Sequence, residues 1–188
     1  NDRTDQAAWE YLAYRLAIKA GITMTHSRIE KINGPYHTFF TKRFDRNGQA
    51  RIHFASAMTM TGNNEETTKN DPAGYLDIAS FIQYNGGNIQ PDLHELWRRI
   101  VFNMAVSNTD DHLRNHGFLL QNTGWTLSPA YDINPSTDKD ALALNVNTDD
   151  NALSFELAKS VGQYFQLTNK AMDTIIDEVT TAVKGWRK

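Results

Sequence analysis

Ten consecutive residues, Ser107-Asn108-Thr109-Asp110-Asp111-His112-Leu113-Arg114-Asn115-His116, carry two carboxylates, two amides, two imidazoles and a guanidinium. A hydrophobic core has no use for such a set, and a plain surface loop rarely assembles one. Asp110 and Asn115 stand five apart, and a further acid, Asp132, follows in Leu127-Ser128-Pro129-Ala130-Tyr131-Asp132-Ile133-Asn134-Pro135. A carboxylate to orient an attacking hydroxyl, an amide oxygen and a second carboxylate as hard ligands for Mg²⁺, and nearby cations for equatorial oxygens are what phosphoryl transfer requires. Mg²⁺ takes only one or two carboxylates and completes its shell with water and phosphate, so two acids and one amide suffice.

Protein kinases use D-x-x-x-x-N for the base and one metal ligand, then a later Asp for the metal. Asp110, Asn115 and Asp132 reproduce that order and the first spacing. The five-residue pattern alone recurs by chance; an apolar helix before it and two short strands after it, with Asp132 beyond, make it more specific. The neighbours also have plainer readings. Asp111 reads as a solvated loop acid or a backbone cap. His112 either holds loop carbonyls from inside or touches phosphate, and Arg114 either pairs a surface acid or touches phosphate. His112 and His116 are four apart, a zinc spacing on a helix, but no Glu follows the first His and the segment reads as a loop. No G-x-S-x-G elbow supports a serine nucleophile, and neither G-x-G-x-x-G nor G-x-x-x-x-G-K-[ST] occurs.

The cluster must be held by the elements around it. Residues 91–106 form the strongest helical pattern: Pro91 suits a first turn and Asp92 the positive end of the dipole. Leu93, Leu96, Trp97, Ile100, Val101, Met104 and Ala105 then follow an i, i+3, i+4, i+7 stripe. This helix is expected to be a buried strut whose C-terminal end presents the cluster. Residues 4–20 read as another helix, stopped by Gly21, with Glu10 either solvated or poised to pair a catalytic lysine. Strands are expected at 27–32 and 36–44 around the Asn33-Gly34 turn, at 118–120 and 125–127, and over 142–146. A polar loop should cover 62–74 and a helix 75–84. Two helices should close the chain, 154–162 and 169–184, the last N-capped by Thr168 and buried through Met172, Ile175, Ile176, Val179 and Val183.

At 188 residues and 40% hydrophobic content the chain can bury one sizeable core. Its formal charge of −3 disfavours non-specific binding to a nucleic-acid duplex. The absence of cysteine removes disulfides, thiol catalysis and Cys-based zinc sites. No apolar run approaches the roughly 20 residues of a membrane span. The chain starts with Asn, so it reads as a piece of a longer protein.

Asn108-Thr109-Asp110-Asp111-His112-Leu113-Arg114-Asn115-His116-Gly117-Phe118, with Leu127-Ser128-Pro129-Ala130-Tyr131-Asp132 after it, resembles the C-terminal domain of HipA-type serine/threonine kinases, the toxin halves of bacterial toxin–antitoxin pairs. Ala8-Trp9-Glu10-Tyr11, Lys42-Arg43-Phe44-Asp45-Arg46 and Arg51-Ile52-His53-Phe54-Ala55-Ser56-Ala57-Met58 extend the likeness over nearly the whole chain.

The resemblance implies an α+β, protein-kinase-like fold: a mostly helical C-terminal lobe over 46–188, with residues 1–45 the end of the small lobe and a short β-hairpin its remnant. By the same resemblance Asp110 is the catalytic aspartate, and Asn115 and Asp132 are the Mg²⁺ ligands. His112, Arg114 and Tyr131 line the ATP site, and Lys42-Arg43-Phe44 is the hinge that meets adenine through its backbone. A phosphate-binding loop and an ATP-contacting lysine belong upstream in this family. They are expected on a preceding segment or another chain, so this chain alone should bind ATP weakly. The implied partners are a protein substrate, an aminoacyl-tRNA synthetase among those of the family, and a HipB-like DNA-binding antitoxin. DNA would be reached only through the antitoxin, in the cytoplasm and with no membrane. Two alternatives stand beside this reading: a small-molecule phosphotransferase of the same fold, and a non-catalytic module that binds an antitoxin.

Overall fold

A computed structural model describes residues 4–64, 66, 73–136 and 139–187. Most of the 62–74 loop, including Glu65 and Asp71-Pro72, lies outside the described residues. The core is built on one long helix, α4 (Ile89–Val106), whose Leu93, Leu96, Trp97, Ile100, Val101 and Phe102 are wholly buried. Pro91 sits inside the first turn, where its missing N–H costs no hydrogen bond, so α4 begins two residues earlier than Pro91 suggests. Asp92 is buried as well: it accepts from the Leu127 amide at 2.8 Å and the Asn88 amide at 3.2 Å, fastening the helix start to a strand.

Three helices surround α4. They are α3 (Tyr75–Asn85), α5 (Phe155–Ser160) and α6 (Asn169–Lys184). The Trp97 indole donates to the Ala158 carbonyl at 3.0 Å, which satisfies its polar edge inside the core. In α6, Met172, Ile175 and Val179 are buried as the stripe requires, Ile176 and Val183 are half-buried, and Thr168 caps the helix by accepting from the Ala171 amide. The expected helix over 154–162 is shorter, because Gly162–Phe165 tightens into a 3₁₀ turn. A side chain at Gly162 would run into the thioether end of Met172, which would then have to shift.

α1 (Gln6–Lys19) packs on α6 and on the hairpin of β1 (Ser27–Glu30) and β2 (Thr38–Thr41), registered Ser27 to Thr41. Both strands are shorter than their sequence pattern: at the turn end the His37 amide bonds the Asp5 carboxylate at 3.2 Å instead of joining the ladder. A two-residue ladder, β3 (Arg46–Asn47) with β4 (Ala50–Arg51), turns at Gly48 with φ +60°. β5 (Phe54–Ser56) then joins β6 (Gly117–Gln121) and β7 (Gly124–Leu127) in an antiparallel three-stranded sheet, and α2 (Ala57–Met60) follows β5.

Residues 142–146 form no strand. Asn145 makes an isolated bridge with Gly74, the preceding Ala141 makes one with Ala152, and Leu142, Leu144 and Val146 are buried. Their apolar alternation reports burial against helices rather than sheet pairing. Among the described residues no helix is long and apolar enough to cross a membrane.

Candidate active site

Helix α4 ends at Ser107, which takes the left-handed conformation (φ 55°) and turns the chain out of the helix. The Asn108 amide closes back onto the Asn103 carbonyl at 2.9 Å. From there the cluster runs as a bent loop, tightened by a single 3₁₀ turn at Leu113–Asn115, into β6.

The two adjacent aspartates diverge. The Asp110 side chain is 70% exposed and its carboxylate lies 3.6 Å from the Lys139 ammonium. Asp111, read from the sequence as a solvated acid or a cap, is instead buried, with 3% of its surface exposed. Its Oδ2 accepts from the Tyr75 hydroxyl at 2.6 Å and the Asn103 amide at 2.7 Å, and lies 2.8 Å from His116 Nε2. Burial by itself would raise the Asp111 pKa. The charge and hydrogen bond of His116, the Tyr75 bond and the positive charge of Arg99 outweigh it and hold the carboxyl below the usual range. Tyr75 shifts the opposite way, driven up by burial and by the Asp111 charge.

Asn115 is buried, and its Nδ2 donates to the Asp110 carbonyl at 3.4 Å, closing the five-residue bend. His112 is half-buried, with Nδ1 buried and unpartnered among the described residues.

Asp132 also takes the left-handed conformation (φ 56°), uncommon for a residue other than glycine, and its Oδ1 accepts from the Asn134 amide at 2.8 Å. It shares a small cavity with Glu10 of α1 and with Tyr14, Thr25, Ser27 and Thr41. No lysine or arginine is in that lining. Burial first, and the Asp132 charge second, push the Glu10 carboxyl up to about 7. Two carboxylates facing one space with no basic residue in its lining, and the hydroxyls of Thr25, Ser27 and Thr41 beside them, are hard donors that suit a divalent cation. No group of three or more His, Cys, Asp or Glu forms a protein-only metal cage among the described residues. Mg²⁺ needs none, since one or two carboxylates suffice.

Beside Tyr131 opens a cavity of about 390 Å³ lined by Lys42, Arg43, Phe44, Phe54, Arg114 and Tyr131, with Thr41 and Asp45. The Phe44 ring centroid is 5.6 Å from those of both Phe54 and Tyr131, giving an aromatic floor. Tyr131 is fixed by donating its hydroxyl to the Arg114 carbonyl at 2.6 Å, which ties this wall to the Asp110 loop. Burial raises the Tyr131 pKa, so the hydroxyl stays protonated.

The Lys42–Asp45 segment is partly tied down. The Lys42 amide donates to the His26 carbonyl at 2.9 Å, and its own carbonyl accepts from Thr25 Oγ1 at 2.6 Å. Arg43 grips Asp45 through two bonds, at 2.8 and 2.6 Å. With the Arg46 charge adding to these bonds, the Asp45 carboxyl is held at about 2.

A separate polar groove of about 630 Å³ is formed by Thr109, Asp110, Asn134, Ser136 and Lys139 with Thr4, Gln6 and Pro135. Asn134 belongs to this groove and also bonds Asp132. The fold thus gathers Lys42, Arg43, Phe44, Arg114 and Tyr131 around one cavity, and it places Asp110 in a groove joined to Asp132 through Asn134. Asp110, Asn115 and Asp132 do not line one common cavity, and neither Asn115 nor His112 lines the aromatic cavity or the groove. Four features were not legible in the spacing: the Glu10–Asp132 juxtaposition, the Asp111 network, Lys139 beside Asp110, and Phe54 in the aromatic wall. Each needs segments far apart in sequence to meet.

Residues 1–186 match the model of the HipA-like C-terminal domain family. Among curated proteins none matches. Two solved structures share the fold. HipA from Shewanella oneidensis MR-1, determined with HipB and operator DNA, superposes with a TM-score of 0.81 at 17% identity, covering 100% of this chain and 50% of that one. The Helicobacter pylori proinflammatory kinase CtkA gives a TM-score of 0.61 at 12% identity, covering 98% of this chain and 84% of that one. This chain spans half the length of the Shewanella protein. Its mixture of helices and small sheets is a kinase-like fold with a mostly helical lobe, and with a family match over nearly its whole length the chain belongs to the HipA-like C-terminal domain family.

Proposed function

We propose that this domain is the catalytic lobe of a HipA-like serine/threonine protein kinase, the toxin of a toxin–antitoxin pair, which transfers the γ-phosphate of ATP to a protein hydroxyl. Residues 1–45 close the small lobe in this reading, and 46–188 form the large one. The observation that carries it is the pair of unlike cavities lined from the two ends of the Tyr131–Asn134 segment, one aromatic and edged with cations, the other polar and holding the Asp110 carboxylate.

In this reading Phe44, Phe54 and Tyr131 take the flat base of the nucleotide, and the backbone of the Lys42-Arg43-Phe44 segment meets its rim. Lys42 and Arg114 face the same cavity as cations for the phosphate chain. Asn115 and Asp132 would hold Mg²⁺, which supplies charge neutralisation at phosphate oxygens when bound. The polar groove receives the acceptor. There Asp110 takes the hydroxyl proton and aims the oxygen, with Lys139 beside it. His112, half-buried on the same loop with Nδ1 unpartnered among the described residues, lines the ATP site in this reading.

The HipB and operator DNA in the Shewanella structure support a HipB-like DNA-binding partner for this protein, with DNA reached only through it in the cytoplasm. The acceptor is a protein, an aminoacyl-tRNA synthetase being the family's example. The test is phosphate transfer by the full-length protein to protein extract, with sugars and aminoglycosides as parallel acceptors. Asp110→Asn should lower protein phosphorylation by roughly 10²–10⁴ while Mg-ATP still binds. Unchanged transfer removes Asp110 from the chemistry, and transfer confined to the small acceptors overturns the protein-kinase assignment.

A further inference from the structure

The exposed Asp110 carboxylate can act only if its loop is held still, and little about Asp110 itself holds it. Its neighbour is different. Asp111 directs one oxygen, Oδ2, at three partners brought from separate elements: Tyr75 in α3, Asn103 in α4, and His116 at the start of β6. Asn103 cannot rotate away, because its Oδ1 accepts from the Asn108 amide at 3.0 Å while its Nδ2 serves Asp111. One side chain therefore braces both the entry and the middle of the loop. His116 lies edge-on to the Tyr75 ring, centroids 5.8 Å apart at 85°, and its carbonyl accepts from the Ala57 amide at 2.8 Å. Tyr75, Asn103, Asn108, Asp111 and His116 are all within the buried interior. A buried carboxylate satisfied by three donors is a rigid joint, since breaking any bond strands a polar group away from water.

We propose that Asp111 is the positioning residue of this site: it fixes the loop backbone so that Asp110 faces the acceptor groove, and it touches neither nucleotide nor acceptor. This rests on the kinase reading above. Misplacing a reacting group by about 1 Å can cost on the order of 10²-fold in rate. A role confined to stability would instead lower the melting temperature and leave the rate per folded molecule intact.

The test uses the full-length protein and Asp111→Asn, which keeps the shape and one acceptor oxygen but removes the charge. The readouts are kcat, KM for ATP, affinity for a fluorescent ATP analogue with Mg²⁺, and amide exchange over residues 109–114 compared with α4. The expected result is a fall in kcat of about 10- to 100-fold, nucleotide affinity within about threefold of wild type, and faster exchange confined to the loop. Tyr75→Phe, which removes one of the three donors, should shift both readouts the same way by less. It carries the test if Asp111→Asn does not fold.

A variant with a lowered melting temperature but kcat within about twofold of wild type overturns the proposal. So does unchanged loop exchange. If the wild-type protein binds Mg-ATP and transfers no phosphate to any acceptor, the kinase reading fails on its own, while loop exchange still decides whether Asp111 is the brace.

Discussion

The juxtaposition of Glu10 and Asp132 makes a quantitative prediction in the nucleotide-free, metal-free chain. Burial and the Asp132 charge lift the Glu10 carboxyl from its ordinary 4.5 to about 7. A carboxyl with a raised folded-state value is held more tightly by its proton in the folded than in the unfolded chain. Below about pH 4.5 both states are protonated and the site costs nothing. As pH rises toward 7 the unfolded chain sheds the proton first, so stability falls, and above 7 the full penalty applies. At about 1.4 kcal/mol per pH unit the ceiling is about 3 kcal/mol. Glu10 is only half-buried and water screens it, so the realised cost is on the order of 1 kcal/mol.

Glu10→Gln removes the charge and keeps the shape. At pH 8 it should raise the melting temperature of a chain this size by about 2–4 °C, and at pH 4.5 it should leave it unchanged. Asp132→Asn should stabilise in the same direction. The double variant should gain less than the two singles together, because each removes part of the same repulsion. Thermal unfolding followed by circular dichroism at the two pH values is sufficient. A gain equal at pH 4.5 and pH 8, or a loss at pH 8, refutes the facing-carboxylate argument.

Asp132→Ala should abolish Mg²⁺-dependent nucleotide binding measured by calorimetry on the full-length protein, and intact binding would refute its assignment as a ligand. Gly117 pairs with Ser56 across β5 and β6, and a side chain there would overlap the Phe54 ring. Gly117→Ala should therefore push Phe54 off the aromatic wall, weaken nucleotide binding by about threefold or more, and destabilise by about 1–3 kcal/mol. Unaltered affinity would show that Phe54 does not contact the base.

Regular periodicity made α4 and α6 readable residue by residue, because a helix that buries one face must repeat its apolar side chains at helical spacing. The hairpin at Asn33-Gly34 and the β6–β7 turn were readable for a similar reason: turn residues are chosen locally. The 142–146 segment misled, since apolar alternation arises whenever a chain lies against a packed surface, with or without a neighbouring strand. Phe54 to Ser56 is too short for a strand pattern of its own, and it pairs only because β6 lies beside it.

Residue types and spacing alone pointed to Asp110, Asn115 and the later Asp132 as candidates for phosphate chemistry, because they follow the order in which kinases use those donors. They could not tell which of two adjacent aspartates is outside and which is buried. Asp110 and Asp111 differ in environment only because Tyr75, Asn103 and His116 converge on the second one, and Glu10 meets Asp132 only because α1 packs beside the hairpin. Burial and long-range hydrogen bonding depend on where distant segments end up. The division of labour within the cluster was therefore decided by tertiary packing and not by local sequence.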